Sequence, residues 1–111
     1  MSKDDDRIRL RHMLDAARKA QEFIQGSTRD ALDTDEKLTL ALVRLLEVIG
    51  EAAKGVSSEC RQDYPKIAWK AIAGTRDRLI HGYFDIDLDI VWQIATTDLP
   101  PLITELERIL A

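Results

Sequence analysis

The stretch RDRLIHGYF, residues 76 to 84, carries the side chains of this chain that are best suited to chemistry. Within eight positions it contains an arginine, a histidine and a tyrosine: Arg76, His81 and Tyr83. An arginine can bind phosphate through two parallel hydrogen bonds, and a histidine changes its protonation near neutral pH. Such a pair could support transesterification at an RNA phosphodiester. His81 would exchange a proton with the ribose 2′-hydroxyl or the leaving oxygen, while Arg76 compensates the charge that develops on the phosphate.

Helix geometry predicts how these three side chains would be arranged. Arg76 and Tyr83 are seven residues apart, so on one regular helix they would share a face. Arg76 also falls in phase with apolar neighbours, which predicts that its guanidinium meets a carboxylate, a neighbouring subunit or a ligand anion. Gly82 suits the left-handed residue that ends a helix, and the helix dipole there would favour the charged form of His81. The chain could then turn and gather the three side chains around one cleft.

A polar stripe precedes this stretch, at spacings of three, four and three residues. It is formed by Arg44, Glu47, Glu51 and Lys54. Residues at these spacings are neighbours on one side of a helix, so the stripe is either a solvated face with ion pairs or the lining of a cleft. Glu47 and Glu51 could also pair with Arg76. In that structural alternative, His81 would merely cap its helix.

Composition limits the classes of protein to which the chain can belong. Its 111 residues, 45% hydrophobic and 32% charged, predict one domain over residues 1–111. The formal net charge of −4 argues against a protein that coats nucleic acid by electrostatics alone. One cysteine, Cys60, excludes an intrachain disulfide, and we interpret it as structural. We expect no metal or other cofactor, no membrane span and a cytoplasmic location.

Apolar residues at helical spacing predict two long helices in the first half of the chain. The first buries Leu10, Met13, Leu14, Ala17 and Ile24. The second begins near Asp33 or Thr34, either of which could cap it, and contains Gly50 in its middle. A glycine there indicates the close approach of another backbone, although simple tolerance is an alternative. The predicted buried face comprises Leu38, Ala41, Leu42, Leu45, Ile49, Ala52 and Val56.

The second half of the chain predicts further helices. Pro65 suits the entry to a third helix that ends at Gly82, and the inward side chains would be Ile72, Ala73, Leu79 and Ile80. A fourth helix follows residue 87, with Leu88, Val91, Trp92 and Ala95 inward. Pro100 and Pro101 fit the first turn of another helix capped by Asp98. The fold class is therefore all-α, an up-down bundle of four to five helices.

RDRLIHGYF fits the pattern R-x-x-x-x-H-x-Y and thus resembles the HepT-like toxins of the HEPN superfamily. Three further segments resemble that family in the same order: LEVIGEAAK at 46–54, YPKIAWKAIAG at 64–74 and DLDIVWQIATTDLP at 87–100. The resemblance covers nearly the whole chain. It implies a HEPN-like helical homodimer acting as a metal-independent ribonuclease that arrests growth in a prokaryotic cell. It also implies a partner antitoxin, an MntA-like minimal nucleotidyltransferase that silences the toxin by transferring AMP to a tyrosine.

Carried onto this sequence, the resemblance makes Arg76 and His81 the catalytic pair and Tyr83 the AMP acceptor. One position departs from the pattern, because the family often has asparagine directly after the motif arginine and this chain has Asp77. An ionised aspartate cannot donate a hydrogen bond to phosphate. Asp77 would instead orient Arg76, Arg78 or His81. The possible supports of the cleft are Asp77, Arg44, Glu47 and Glu51. The alternative function is a non-catalytic module that binds a nucleotidyltransferase or its nucleotide.

Overall fold

The structure is a computed structural model that describes residues 3–80 and 85–111. Within these ranges almost the whole chain is helical, and the single β-type pairing is a bridge between Ile80 and Ile86. The helices are α1 (Lys3–Ile24), α2 (Ala31–Thr34), α3 (Glu36–Gly55), α4 (Ser58–Asp63), α5 (Trp69–Ala73), α6 (Thr75–Leu79), α7 (Leu88–Gln93) and α8 (Leu99–Leu110). A π-helical segment, Ile94–Asp98, joins α7 to α8.

These elements form four helical units around one core. The units are α1, α3, the pair α5 and α6 separated only by Gly74, and the uninterrupted run from α7 to α8. The short helices α2 and α4 lie in the connections. The all-α class and the count of four to five main helices are therefore confirmed. None of the helices in the described part of the chain is both long and apolar enough to cross a membrane.

Helices α1 and α3 pack against each other along their lengths and run antiparallel. Asp6, near the start of α1, accepts hydrogen bonds from the backbone N–H and the hydroxyl of Ser57, at 2.9 and 2.6 Å, just beyond the end of α3. Leu10, Met13, Leu14 and Ala17 are fully buried, as their helical spacing predicts, whereas Ile24 is partly buried. These side chains form the half of the core against which α3 packs.

The start of α3 corrects one prediction. Thr34 belongs to the single-turn helix α2, and Asp33 pairs with Arg29 at 3.3 Å. The cap is Asp35, whose side chain accepts from the N–H of Leu38 at 3.1 Å. Its backbone is extended, which is the conformation of a residue that enters a helix from outside.

The buried face of this helix is wider than predicted. Of the predicted residues, Leu42, Ile49 and Val56 are fully buried and Leu38, Ala41, Leu45 and Ala52 partly buried; Val43, Leu46, Gly50 and Ala53 are buried in addition. The face is wider because α3 contacts α1 on one side and α5 and α6 on another. Because α3 packs against helices on two sides, more of its surface is buried than a single apolar stripe would cover.

The third unit starts later and ends earlier than predicted. Pro65 lies in a turn, and α5 begins at Trp69, whose indole N–H donates to the carbonyl of Tyr64 at 3.0 Å. Helix α6 ends at Leu79 because Ile80 adopts extended backbone and bridges to Ile86. The predicted terminator, Gly82, lies outside the described residues. The helix therefore ends at Leu79, where the chain enters the bridge.

The last unit confirms the inward direction of Val91 and Ala95 and corrects the role of Asp98. Asp87 caps α7 by accepting from the N–H of Ile90 at 3.1 Å. Pro100 and Pro101 lie in the first turn of α8, as predicted, although the π segment before them continues the helix from α7. Asp98 precedes them, but its side chain makes no capping hydrogen bond, because its backbone is already helical. The π segment carries the helix directly into α8.

Candidate functional site

Helix α6, which carries the motif arginine, is held against α3 by close backbone contact. A Cβ atom placed on Gly50 would lie 3.0 Å from the carbonyl oxygen of Ile72 and 3.7 Å from the Cβ of Thr75. Thr75 is buried and its hydroxyl donates to the same carbonyl at 2.6 Å. The prediction that another backbone approaches Gly50 is therefore confirmed. This contact sets the position from which α6 presents its polar side chains.

Arg76 is exposed, which corrects the prediction that it lies in phase with the buried residues. The inward residues of α6 are Thr75 and Leu79, four positions apart, and both are buried. Because successive helical residues are about 100° apart, Arg76 is turned away from that face. Within residues 3–80 and 85–111 its guanidinium forms no ion pair. The arginine is thus available to an anion from outside the chain.

The two carboxylates that the sequence suggested as partners of Arg76 do not form an ion pair with it. Glu51 pairs with Lys54 at 3.7 Å, and neither Glu47 nor Glu51 pairs with Arg76. The ion pair of Arg76 with Glu47 or Glu51 that the structural alternative requires is therefore not formed, while its second part, a helix cap by His81, falls outside the described residues. Asp77 is exposed and pairs with neither of its arginine neighbours, so its expected role in orienting Arg76 or Arg78 is not observed.

Two residues of the polar stripe line a groove between α1 and α3. This α1–α3 groove has a volume of about 480 Å³, and Arg44 and Glu51 border it together with His12 of α1. His12 is exposed, as predicted, but the sequence did not indicate that it faces the stripe. Glu47 and Arg76 do not line this groove. Both alternatives that the spacing left open therefore hold in part. Glu51 forms an ion pair with Lys54, and Arg44 and Glu51 line a groove.

His81 and Tyr83, the predicted catalytic and acceptor residues, lie outside the described residues. The chain on either side of them is held in place. The backbone N–H of Asp87 donates to the carbonyl of Leu79 at 2.8 Å, and Ile80 bridges to Ile86. Ile80 and Ile86, which flank the motif histidine and tyrosine in sequence, therefore lie side by side directly after α6.

A second concave site was missed by sequence reasoning. It lies between α5, α6, the π segment and α8, has a volume of about 470 Å³, and is called the α6–α8 cavity below. Arg78 and Asp98 stand at its rim, with a distance of 3.8 Å from Nη1 to Oδ2. The sequence feature that could have indicated this site was Asp98, which precedes two prolines and was interpreted as a helix cap. Its apolar wall includes Ile72, Ile94, Leu99 and Leu102.

At the α6–α8 cavity, the hydrogen bond from Arg108 lowers the pKa of the lining residue Glu105. Two further shifts lie away from the concave sites. Burial, followed by the nearby carboxylates of Asp6 and Asp63, raises the pKa of the Cys60 thiol. The thiol thus remains protonated at neutral pH, which agrees with the structural role predicted for Cys60. The hydrogen bond donated by the Ser57 hydroxyl lowers the pKa of Asp6 below its ordinary value. This carboxylate links the start of α1 to Ser57, which caps α4.

Comparison with known proteins gives a consistent result. The model of a family described as "Ribonuclease HepT-like" matches residues 13–109. A protein of Methanocaldococcus jannaschii named "Putative RNase" is 38% identical over 99% of this chain and 91% of its own length. A "Probable ribonuclease HepT" of Thermococcus cleftensis is 32% identical over 90% of this chain and 91% of its own length. No solved structure matches the chain.

Proposed function

Because this chain belongs to the HepT-like ribonuclease family, we propose that it is a metal-independent endoribonuclease with Arg76 and His81 as its catalytic pair. The observation that carries the proposal is the state of Arg76. Its guanidinium is exposed and makes no ion pair with any other described residue, on a helix that α3 holds in place. An unpaired arginine at the start of the motif is what phosphate binding requires. The family match spans the entire motif.

The reaction is a transesterification within one RNA strand. His81 takes the proton of a ribose 2′-hydroxyl as its oxygen attacks the adjacent phosphorus, and the bond from phosphorus to the 5′-oxygen breaks. The departing oxygen takes a proton from water and His81 releases its proton to solvent, which leaves a 2′,3′-cyclic phosphate on one product and a 5′-hydroxyl on the other. Arg76 donates two hydrogen bonds to the phosphate oxygens and stabilises their growing charge.

Regulation would operate through Tyr83, which follows His81 by two positions. A cognate MntA-like nucleotidyltransferase would direct the phenolic oxygen to the α-phosphorus of ATP, with loss of the phenolic proton and departure of pyrophosphate. The attached AMP is a bulky anion next to residues that bind phosphate. It would occupy Arg76 and exclude RNA by size and by charge. The chain would then be the toxin of a toxin–antitoxin pair.

A homodimer would complete the site. Two-fold symmetry places the same surface of both protomers at one interface, so two Arg76 side chains could border a single groove. This arrangement would concentrate positive charge locally, although the chain carries a formal net charge of −4. Size determination in solution by light scattering tests this part of the proposal; a monomer at the concentrations that support cleavage would contradict it.

Cleavage in the presence of EDTA tests the catalytic proposal. We expect the wild-type protein to cut RNA, and His81→Ala to lose activity by about a hundredfold or more. Arg7→Ala is the matched control for charge, because Arg7 is exposed on α1 and lines neither concave site. Equal cleavage by wild type and His81→Ala would refute the proposal. Absence of cleavage together with tight binding of a nucleotidyltransferase would instead favour the non-catalytic module.

A further inference from the structure

We propose that the α6–α8 cavity binds a nucleobase of the RNA, with guanine favoured over the other bases. The inference deepens the proposed ribonuclease function by assigning a base-recognition site, and it rests on that function for its biological meaning. It does not depend on His81 or Tyr83. All the residues that carry it lie within the described part of the chain.

The size and walls of the cavity suit a flat aromatic ring. Its volume of about 470 Å³ falls within the range of small-molecule sites and exceeds that of a purine. Aliphatic side chains from three different elements, Ile72 of α5, Ile94 of the π segment and Leu102 of α8, contribute to the lining. Apolar side chains can cover the faces of a base that has left its stack.

Two of the polar residues that line this space, Arg78 and Asp98, face each other; the lining also includes Lys66, Thr75, Thr97 and Glu105. The guanidinium of Arg78 and the carboxylate of Asp98 approach to 3.8 Å, which is longer than a hydrogen bond. Their side chains are 38% and 43% exposed, so both heads remain accessible. Asp98 also makes no capping hydrogen bond to α8. Arg78 and Asp98 therefore form an ion pair without a direct hydrogen bond, as Lys54 and Glu51 do, and a base at the rim would bind to both members of this pair.

The order of these groups matches the Watson–Crick edge of guanine. That edge presents an acceptor, O6, followed by two donors, N1–H and N2–H. Arg78 can donate to O6 while both oxygens of Asp98 accept from the two N–H groups. Adenine offers one donor and one acceptor on the same edge, so it makes two such bonds rather than three. Unpaired bases are commonly read along this edge in single-stranded RNA.

The π segment explains why Asp98 is available. It extends the turn before α8, and such segments often occur at functional sites in helices. Thr97 and Asp98 of this segment line the cavity, and Leu99 continues the lining into α8. With its backbone in helical conformation, Asp98 points its carboxylate toward Arg78 instead of toward the N–H groups of α8.

The cavity is close in sequence to the proposed phosphate site but lies on a different side of α6. Arg76 and Arg78 are both on α6, and two positions correspond to about 200° around a helix. Arg78 lines the cavity, whereas Arg76 does not. An RNA strand would therefore have to pass across α6 for one nucleotide to place its base in the cavity and a phosphate of another nucleotide to contact Arg76.

Titration of the isotope-labelled protein with free nucleosides, followed by amide chemical shifts, tests the inference. Guanosine has no phosphate, so its binding is independent of Arg76 and of catalysis. We expect guanosine to shift the amides of Ile72, Arg78 and Asp98 and to bind at least about fivefold more tightly than adenosine, cytidine or uridine. Asp98→Asn should weaken guanosine binding by about tenfold.

Two further variants make the result decisive. Asp15→Asn removes an exposed carboxylate of α1 that lines neither concave site, and it should bind guanosine as the wild type does. Ala71→Leu adds bulk to the cavity wall and should weaken binding of every nucleoside, even if Asp98→Asn fails to fold. The inference is overturned if no nucleoside shifts the cavity amides, or if Asp98→Asn and Asp15→Asn bind guanosine equally.

Failure of this inference and failure of the ribonuclease proposal give different results. A chain that cuts RNA but binds no nucleoside in the cavity contradicts the base-recognition site alone. A chain that binds guanosine in the cavity but cuts no RNA contradicts the catalytic proposal alone.

Discussion

Replacing Arg76 by alanine should separate stability from activity. Arg76 is exposed and makes no ion pair within the described part of the chain, so its removal leaves no buried charge without a partner. Substitutions at such surface positions usually change the free energy of unfolding by no more than about 0.5 kcal/mol. Loss of a group that stabilises transition-state charge costs about 10²- to 10³-fold in rate. We therefore expect near wild-type stability and a cleavage rate reduced by at least about a hundredfold.

The assay pairs urea denaturation with RNA cleavage on the same protein samples. Arg29→Ala is the contrasting variant, because Arg29 is held by Asp89 at 2.7 Å and by Asp33 at 3.3 Å. The hydrogen bond to Asp89 is also the leading cause of its raised pKa. Arg29→Ala should lower the urea midpoint by more than Arg76→Ala does and should leave the cleavage rate of folded protein unchanged.

Arg76→Lys adds a third comparison on the same helix. It keeps the positive charge and loses the planar fork that binds phosphate through two bonds, so the cleavage rate should fall between those of wild type and alanine. The reasoning is refuted if Arg76→Ala destabilises the protein by more than about 1 kcal/mol. That result would show that Arg76 has an internal partner and a structural role.

Three further predictions concern stability, packing and regulation. Asp6→Ala removes two hydrogen bonds to a buried carboxylate and should lower the free energy of unfolding by about 2–4 kcal/mol in urea at pH 7. Because folding lowers the pKa of Asp6, its contribution is present above about pH 4 and is lost as the pH falls further. Gly50→Val should destabilise the fold by about 1–3 kcal/mol and lower activity, since even a Cβ would lie 3.0 Å from a backbone carbonyl of α5. Coexpression with the cognate nucleotidyltransferase should add the mass of AMP groups to wild type and not to Tyr83→Phe.

Each of these three predictions has an outcome that contradicts it. For Asp6, the exposed neighbour Asp4 is the control, and equal effects of Asp4→Ala and Asp6→Ala would show that the link to Ser57 contributes nothing. For Gly50, an unchanged free energy of unfolding in the valine variant would mean that α5 can move away from the added side chain without loss of stability. For Tyr83, an equal mass increase in the phenylalanine variant would place the modification on another residue.

Part of the fold could be predicted from local sequence patterns. Leu10, Met13 and Leu14 repeat at helical spacing, and that repetition alone predicts a buried helix face because only one side of α1 can be apolar. Gly50 could be predicted as a point of close approach, since a glycine inside a helix is costly unless a neighbour needs the space. The order of the motif segments was enough to identify the family.

Other features depended on which elements pack together. Arg76 is in phase with apolar residues of a regular helix, but the burial of Thr75 against α3 turns it to solvent. Asp98 has the sequence context of a helix cap, but a π-helical backbone points its carboxylate at Arg78. A sequence determines which residues prefer a helix and which prefer the core, because these preferences are local. The direction in which a polar side chain faces is decided by contacts between distant segments, and only the tertiary structure contains them.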